Sequence, residues 1–454
     1  MVQTDKKTYG VSKARLEALF DAGTFVELGA YLKRSDEQNE PVGVVCGYGA
    51  VQGSLAFAFV QDSGRIKGAF DERQAKKIAS LYALAVKNGA PIVGVFDSAG
   101  AVIYDGVSAL AAYGTLMKNI SDASGIVPQI AIIDGVCGGA AAVAASMFDF
   151  VVTVKGSSEL FVNAPFTVGK ADGASVMGLS AKDAESEAEA FAFAKELLAT
   201  LPQNNAEAGC AVLADDLNRK VAISAEYDVD ALLASLADGG RFTAVYRDYA
   251  DNARFGFASF GGVVAGVVAC DPKKKGILDI KIARAASKMI SFCDAFSIPV
   301  LTLVDSEGLA VSNDAENAAF ASELARLAMA YTSSECAKVT VVLGKAYGTA
   351  YTLLGSKSVG ADLAFALPTA CISVLSPEAS VAFVWNNRVG DVSREELEKE
   401  WSETCASAAS ACDAGEIDDL IEPSELRQRI CASLLMLSAK AEGTPARKHT
   451  AMPL

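Results

Sequence analysis

The chain repeats itself, and this constrains its fold more than any other feature. GAPIVGVFDSAG (Gly89–Gly100) returns as SIPVLTLVDSEG (Ser297–Gly308), with Pro91, Asp97, Ser98 and Gly100 matched by Pro299, Asp305, Ser306 and Gly308, each 208 positions later. IAIIDGVCGGAA (Ile130–Ala141) returns as VTVVLGKAYGTA (Val339–Ala350), Gly135 meeting Gly344 at a spacing of 209. Ahead of each copy come a glycine-rich strand pair (VCGYGAVQGSLAFAFVQD; FGFASFGGVVAGVVAC) and a helix-like stretch (AKKIASLYALAVKN; RAASKMISFCDAF). Two copies at so long a period mean two similar domains, not a solenoid. We expect a first domain over 1–247 and a second over 248–454, with a mainly helical, Ala/Glu/Asp-rich connector over Leu179–Asp251.

Within each copy the order reads strand–strand–helix–strand–helix–strand–helix–strand. The segments VGVF, IAII and VVTV, and then VLTLV, VTVV and LAFAL, are short and apolar on both faces, as buried parallel strands are. Helices then cover the sheet, and the class is α/β.

Composition excludes several functions. A formal charge of −15 argues against nucleic acid and against an anionic membrane surface. Ten cysteines without a C-x-x-C pair do not suggest zinc, and they read as small buried hydrophobes in a reducing, cytoplasmic setting. MVQTDKKTYG has no apolar core of a signal peptide, and Gly135–Phe148 is shorter than the ~20 residues a spanning helix needs. The one histidine, His449, is sixth from the end, which disfavours Ser–His–Asp, Cys–His and zinc-hydrolase mechanisms. Gly47-x-Gly49 is followed by the strand LAFAFV where a dinucleotide site needs a helix, so it reads as a hairpin. Lys273–Lys275 reads as a solvated turn, whereas Lys76 and Lys77 are the better candidates for phosphate contact.

DGVCGGAAAVAAS places two glycines between a strand and an alanine-rich helix. The first N–H groups of such a helix lack intrahelical partners, and glycine and alanine leave them open to a ligand. Convergent amides of this kind stabilise an oxyanion. Spacing alone leaves this reading level with close helix–strand packing.

The motifs FVQD…KGAFDERQAKKI, GAPIVGVFDSAGAVIYDGVSALAAYG, GIVPQIAIIDGVCGGAA and LPQNNAE, then GILDIKIARAASKMISFCDAFSIPVLTLVDSEG, KAYGTAY and FALPTA, run in one order along nearly the whole chain. In this order the chain resembles the carboxyltransferases of biotin-dependent acyl-CoA carboxylases and decarboxylases. The tail LLMLSAKAEGTPARKHTAMPL is most similar to the decarboxylase type. The resemblance implies two tandem ClpP/crotonase-type domains. It maps a thioester-binding oxyanion hole onto Gly139 and Ala140, and a hole for the biotin ureido oxygen onto Thr349 and Ala350. It further implies acyl-CoA contacts at Gly68, Ala69, Ser98, Ala99 and Gly100, and biotin contacts at Gly308, Leu309, Tyr347 and Gly348. Biotin would arrive on a separate carrier protein or domain, the acyl-CoA would pass through an enolate, and no side-chain base would be needed. The implied partners are a biotin carboxyl carrier protein, further copies of this chain (a dimer at least, up to a hexamer) and, in a sodium pump, a membrane decarboxylase subunit.

The chain departs from the family on its ligand loops. The family's GGS is Lys67–Gly68–Ala69, its DSGGAR is Asp97–Val102 without the arginine, and its PGFxPG is Glu307–Ser312 with a new negative charge. Its GGA is Gly348–Thr349–Ala350, and a His-containing stretch is missing near Val168–Ser186. These departures fit an altered substrate or a repurposed scaffold subunit. A biotin-independent crotonase enzyme would want a carboxylate at the thioester, for which Glu72 and Asp105 are the candidates.

Overall fold

The computed structural model describes residues 10–33, 41–64, 66–169, 173–174, 176–207, 215–224 and 226–441. His449 and Cys210 lie outside them. The chain divides into two compact units, Met1–Ala208 and Gly209–Leu454.

The first unit opens with α1 (Gly10–Leu19), the short β1 (Val26–Leu28) and the hairpin β2 (Val44–Val51) and β3 (Ser54–Gln61). Then come α2 (Glu72–Asn88), β4 (Ile92–Ser98), α3 (Val107–Ala123), β5 (Gln129–Gly138), α4 (Ala140–Ser146), β6 (Phe150–Val154), β7 (Glu159–Phe161), α5 (Pro165–Val168), β8 (Lys182–Ala184) and α6 (Glu187–Thr200). The sheet runs β1-β2-β3-β4-β5-β6-β8, with β7 on an extension of β5. It is antiparallel through the hairpin and parallel from β3 onward. The hairpin confirms the expectation for Gly47 and Gly49; Phe25 and Phe20 fill the space a Cβ would need there. Asp71 caps α2 by accepting from Gln74 N, and Gly89 ends it in a left-handed turn.

The second unit repeats this order: α7 (Val229–Leu236), β9 (Thr243–Val245), the hairpin β10 (Ala253–Phe260) and β11 (Val263–Cys270), α8 (Ile280–Ala295), β12 (Val300–Ser306), α9 (Asn313–Asn317), α10 (Phe320–Ser333), β13 (Lys338–Tyr347), α11 (Gly348–Leu353), β14 (Leu363–Ala366) and β15 (Cys371–Ser373). Three helices, α12 (Pro377–Val384), α13 (Arg394–Thr404) and α14 (Ala408–Asp413), lead to β16 (Asp419–Leu420) and α15 (Leu426–Met436). Its sheet, β9-β10-β11-β12-β13-β14-β16 with β15 on β13, copies the first. The strand–strand–helix reading of each half stands.

The connector does not match its expectation. Among its described residues the helices are α6, α7 and one 3-10 turn, Asp238–Gly240, alongside β8 and β9, and β9 pairs with β10 of the second unit. The alternation of buried Thr243 and Val245 around half-buried Ala244 makes it an edge strand that the alanine-rich composition of the region conceals. The cysteine reading holds for Cys46, Cys137, Cys270, Cys293, Cys336 and Cys431, all buried; Cys405 is exposed.

One local device positions everything that follows. The β4–β5 register jumps from Phe96↔Ile133 to Ser98↔Cys137, and β12–β13 jumps in the same way from Val304↔Val342 to Ser306↔Ala346. The jump makes room for an aspartate. A Cβ on Gly135 would lie 2.1 Å from Asp97 Oδ1, and one on Gly344 would lie 2.5 Å from Asp305 Oδ2. The repeated Asp and Gly of the sequence are therefore one packing unit. Arg15 of α1 holds Asp97 at 3.4 Å and Asp134 at 2.6 Å; in the second unit Tyr227 donates to Asp305 at 3.1 Å. The parallel strands part at their carboxyl ends, where α/β sheets bind ligands.

The turn before α8 is equally tight. Gly276 has φ +53, and a Cβ there would sit 1.9 Å from the carbonyl oxygen of Asp305. Gly276→Ala combines a left-handed alanine with a backbone clash, and is expected to cost roughly 2–4 kcal/mol in chemical denaturation. An unchanged midpoint would show that this turn shifts freely.

Candidate active site

At the carboxyl end of β5, Gly139 takes φ +59 and ψ −123, and α4 begins at Ala140. In the second unit Gly348 takes φ +61 at the same point, and Thr349 follows it. The duplicated backbone thus pairs Gly139 with Gly348 and Ala140 with Thr349. Ala350 is the counterpart of Ala141, and both are fully buried. Gly139 spends its own N–H on Phe161 O at 2.9 Å. The N–H of Ala140, as the first residue of α4, has no intrahelical acceptor, and the same is true of Thr349 in the first turn of α11. Ala140 is half-buried and Thr349 is exposed.

The loops after β4 and β12 share one hydrogen-bond pattern. Ser98 Oγ accepts from Gly100 N at 3.2 Å, and Ser306 Oγ accepts from Gly308 N at 3.2 Å. Ala99 N donates to Lys67 O at 2.9 Å, and Glu307 N donates to Lys275 O at 2.9 Å. Phe70 N meets Gly100 O at 2.8 Å, and Leu278 N meets Gly308 O at 2.9 Å, with Leu309 bridged to Leu278. Ser98 is therefore a buried turn-former, and the amides of Ala69, Ala99 and Gly100 are used within the loops, Ala69 N on Ile66 O. What these loops offer a ligand is open backbone: no atom lies within 4 Å of a Cβ built on Gly100 or Gly139. At Gly308 only Tyr347 O comes that near, at 3.9 Å, and at Gly348 only Val374 O, at 3.3 Å. The Tyr347 side chain is buried, and burial followed by Cys371 beside it pushes its hydroxyl well above the usual tyrosine range.

Lys67 and Lys275 are exposed and left-handed, with φ +52 and +61, and each precedes a buried glycine, Gly68 or Gly276. The reading of Lys273–Lys275 as a solvated turn holds: all three are exposed, Lys273 and Lys274 pairing with Asp228 and Asp251 at 2.5 and 2.6 Å and Lys275 with Glu307 at 3.2 Å. Lys275 is the second unit's copy of Lys67. The 208-residue spacing could have revealed this, since KGAFD at 67 is KGILD at 275. The new charge in the Glu307–Ser312 loop is also not free: Glu307 meets Lys345 at 2.7 Å and Lys275 at 3.2 Å. Lys345 foremost holds the Glu307 carboxyl below its ordinary value of 4.5, and Glu307 in turn raises the Lys345 ammonium. Ser312 closes the loop by capping α9 through Ala315 N at 3.1 Å.

Lys77 is not a phosphate contact. It is buried, and its Nζ donates to Val44 O at 2.9 Å. Lys76 pairs with Glu72 at 2.6 Å on the exposed face of α2, so Glu72 is a solvated helix residue. Asp105 is exposed in a single turn after the β4 loop.

The duplicated sheet with paired helix starts matches one family over nearly its full length: the carboxyl transferase domain model covers residues 6–452. The chain belongs to the carboxyl transferase domain family. It is 33% identical over 480 residues to the carboxyltransferase subunit of propionyl-CoA carboxylase from Haloferax mediterranei, covering 98% of this chain and 93% of that one. It is 34% identical over 475 residues to the α subunit of methylmalonyl-CoA decarboxylase from Veillonella parvula, with the same two coverages. Among solved structures it resembles transcarboxylase 12S, a hexamer assembly crystallised with methylmalonyl-CoA and methylmalonic acid bound. The TM-score is 0.91 at 31% identity, over 98% of this chain and 92% of that one. Among the described residues no cluster of acidic, Cys or His side chains could hold a metal, and no helix is long and apolar enough to cross a membrane.

Proposed function

We propose that the chain is the carboxyltransferase subunit of a biotin-dependent acyl-CoA decarboxylase or carboxylase. The observation that carries this reading is the repetition, in both units, of one left-handed glycine followed by a helix-start amide beside an open loop. In the first unit the Ala140 amide faces the thioester oxygen of acyl-CoA, with Gly139 shaping the turn and Gly100 leaving the approach clear. In the second, the Thr349 amide would hold the ureido oxygen of biotin, with Gly308 and Gly348 in the corresponding places. Biotin, on a separate carrier, supplies the nitrogen that accepts or releases the carboxylate. The Ala140 amide holds the negative charge that develops on the thioester as its α-carbon gains or loses carboxylate. Such sites need no side-chain base, in keeping with a chain that has one histidine.

The chain works as a homo-oligomer. Ile103, Tyr104 and Val107, just beyond the β4 loop, together with Phe166 of α5, are 77–101% exposed, and a second copy would cover them. The purified chain is expected to release CO2 from malonyl-, methylmalonyl- or glutaconyl-CoA only when free biotin is present, and to scatter light as more than a monomer. Release without biotin would instead favour a crotonase-type enzyme, and silence on all three from folded protein would sink the reading.

A further inference from the structure

The two copies of the lysine loop differ in the charged residues set against them. In the second unit Lys275 Nζ meets a carboxylate supplied by the loop opposite, Glu307, at 3.2 Å, and Lys345 meets the same carboxylate at 2.7 Å. In the first unit the backbone is bonded identically, with Lys67 O accepting from Ala99 N as Lys275 O accepts from Glu307 N, both at 2.9 Å. Yet the residue in place of Glu307 is Ala99, and the residue in place of Lys345 is Val136. Among the described residues no carboxylate pairs with Lys67, although its backbone is held in the same left-handed conformation, φ +52 and ψ +36, that disfavours any residue but glycine. The chain thus shows in one copy which group this lysine takes, and in the other omits that group beside the open backbone of Gly100.

We infer that Lys67 seats the free carboxylate of a carboxylated acyl-CoA, in the place that Glu307 occupies against Lys275. Lys67 is then a specificity-determining residue. The inference rests on the acyl-CoA reading of the first unit. A phosphate of CoA is the competing anion, but the residue at 99 lies on the loop that frames the thioester site, so the ligand's acyl end is the nearer partner.

Calorimetric binding of methylmalonyl-CoA and propionyl-CoA, which differ only in the carboxylate, tests it without biotin and therefore without turnover. The intact chain is expected to prefer methylmalonyl-CoA by roughly tenfold to a hundredfold, the range of a charge-assisted hydrogen bond. Lys67→Gly, which relaxes the backbone as it removes the charge, should collapse that ratio towards one. Ala99→Glu should do the same by supplying the carboxylate internally. If Lys67→Gly weakens both ligands equally, the lysine holds CoA phosphate and the inference fails. Equal affinities in the intact chain would overturn it while leaving the acyl-CoA reading in place; binding of neither ligand would overturn both.

Discussion

Replacing Ala140 by proline is expected to lower kcat/KM for biotin-dependent carboxyl transfer by about 10²–10³-fold, the effect of losing one preorganised oxyanion donor. The substitution removes a single atom group of interest. Proline lacks the N–H, and the first turn of a helix tolerates it because that N–H has no intrahelical acceptor. The matching change, Thr349→Pro, should affect the biotin side, so that acyl-CoA binding persists while transfer fails. Circular dichroism and acyl-CoA binding accompany the kinetics. A folded Ala140→Pro chain with full activity would remove the Ala140 amide from the mechanism.

Arg427→Ala is expected to destabilise the second unit by about 3–5 kcal/mol, as breaking a buried ion pair does. For a unit of this size that corresponds to a fall in Tm of roughly 6–20 °C. Arg427 and the Asp238 side chain are both wholly inaccessible, 2.6 Å apart. Asp238 also accepts from Ser259 Oγ at 2.7 Å and from the amides of Gly261 and Gly262 at 3.0 and 2.8 Å, while Arg427 donates to Leu236 O. Burial by itself raises the Asp238 pKa, but Arg427, the two amides and Ser259 outweigh it, and the carboxyl titrates below its ordinary 3.8. A depressed carboxyl contributes stability above 3.8 that is lost as pH falls through the folded value. In Arg427→Ala the remaining carboxylate is buried without its cation, its pKa rises, and the deficit against the intact chain should therefore shrink in acid. A deficit that is the same at neutral and acid pH would mean that Arg427 acts through packing alone.

Much of this was legible in the amino-acid order because it was written twice. The apolar runs VGVF and VLTLV could only be buried strands, and two copies of Pro, Asp, Ser and Gly at one spacing could only be two similar units. The aspartates, however, were legible as a match and not as a mechanism. Only the register jump between β4 and β5 shows that Asp97 occupies the space Gly135 leaves, and that Arg15, more than eighty residues away in the chain, neutralises it. The helix-start amides were legible as a type, since glycine and alanine after a strand leave donors bare. Which amide is bare was not: Gly139 spends its N–H on Phe161, a residue of a three-residue strand with no strong sequence signal.

Charges divide in the same way. The sequence by itself determined the α/β class, the duplication and the two glycine turns, because periodicity and backbone-specific residues are local properties. Tertiary structure alone decided that Lys77 is buried on Val44 O, that Glu307 is neutralised by Lys275 and Lys345, and that Lys67 has no such partner among the described residues. A charge acts through what lies within a few ångströms of it, and that neighbourhood is assembled from distant strands only when the sheet closes.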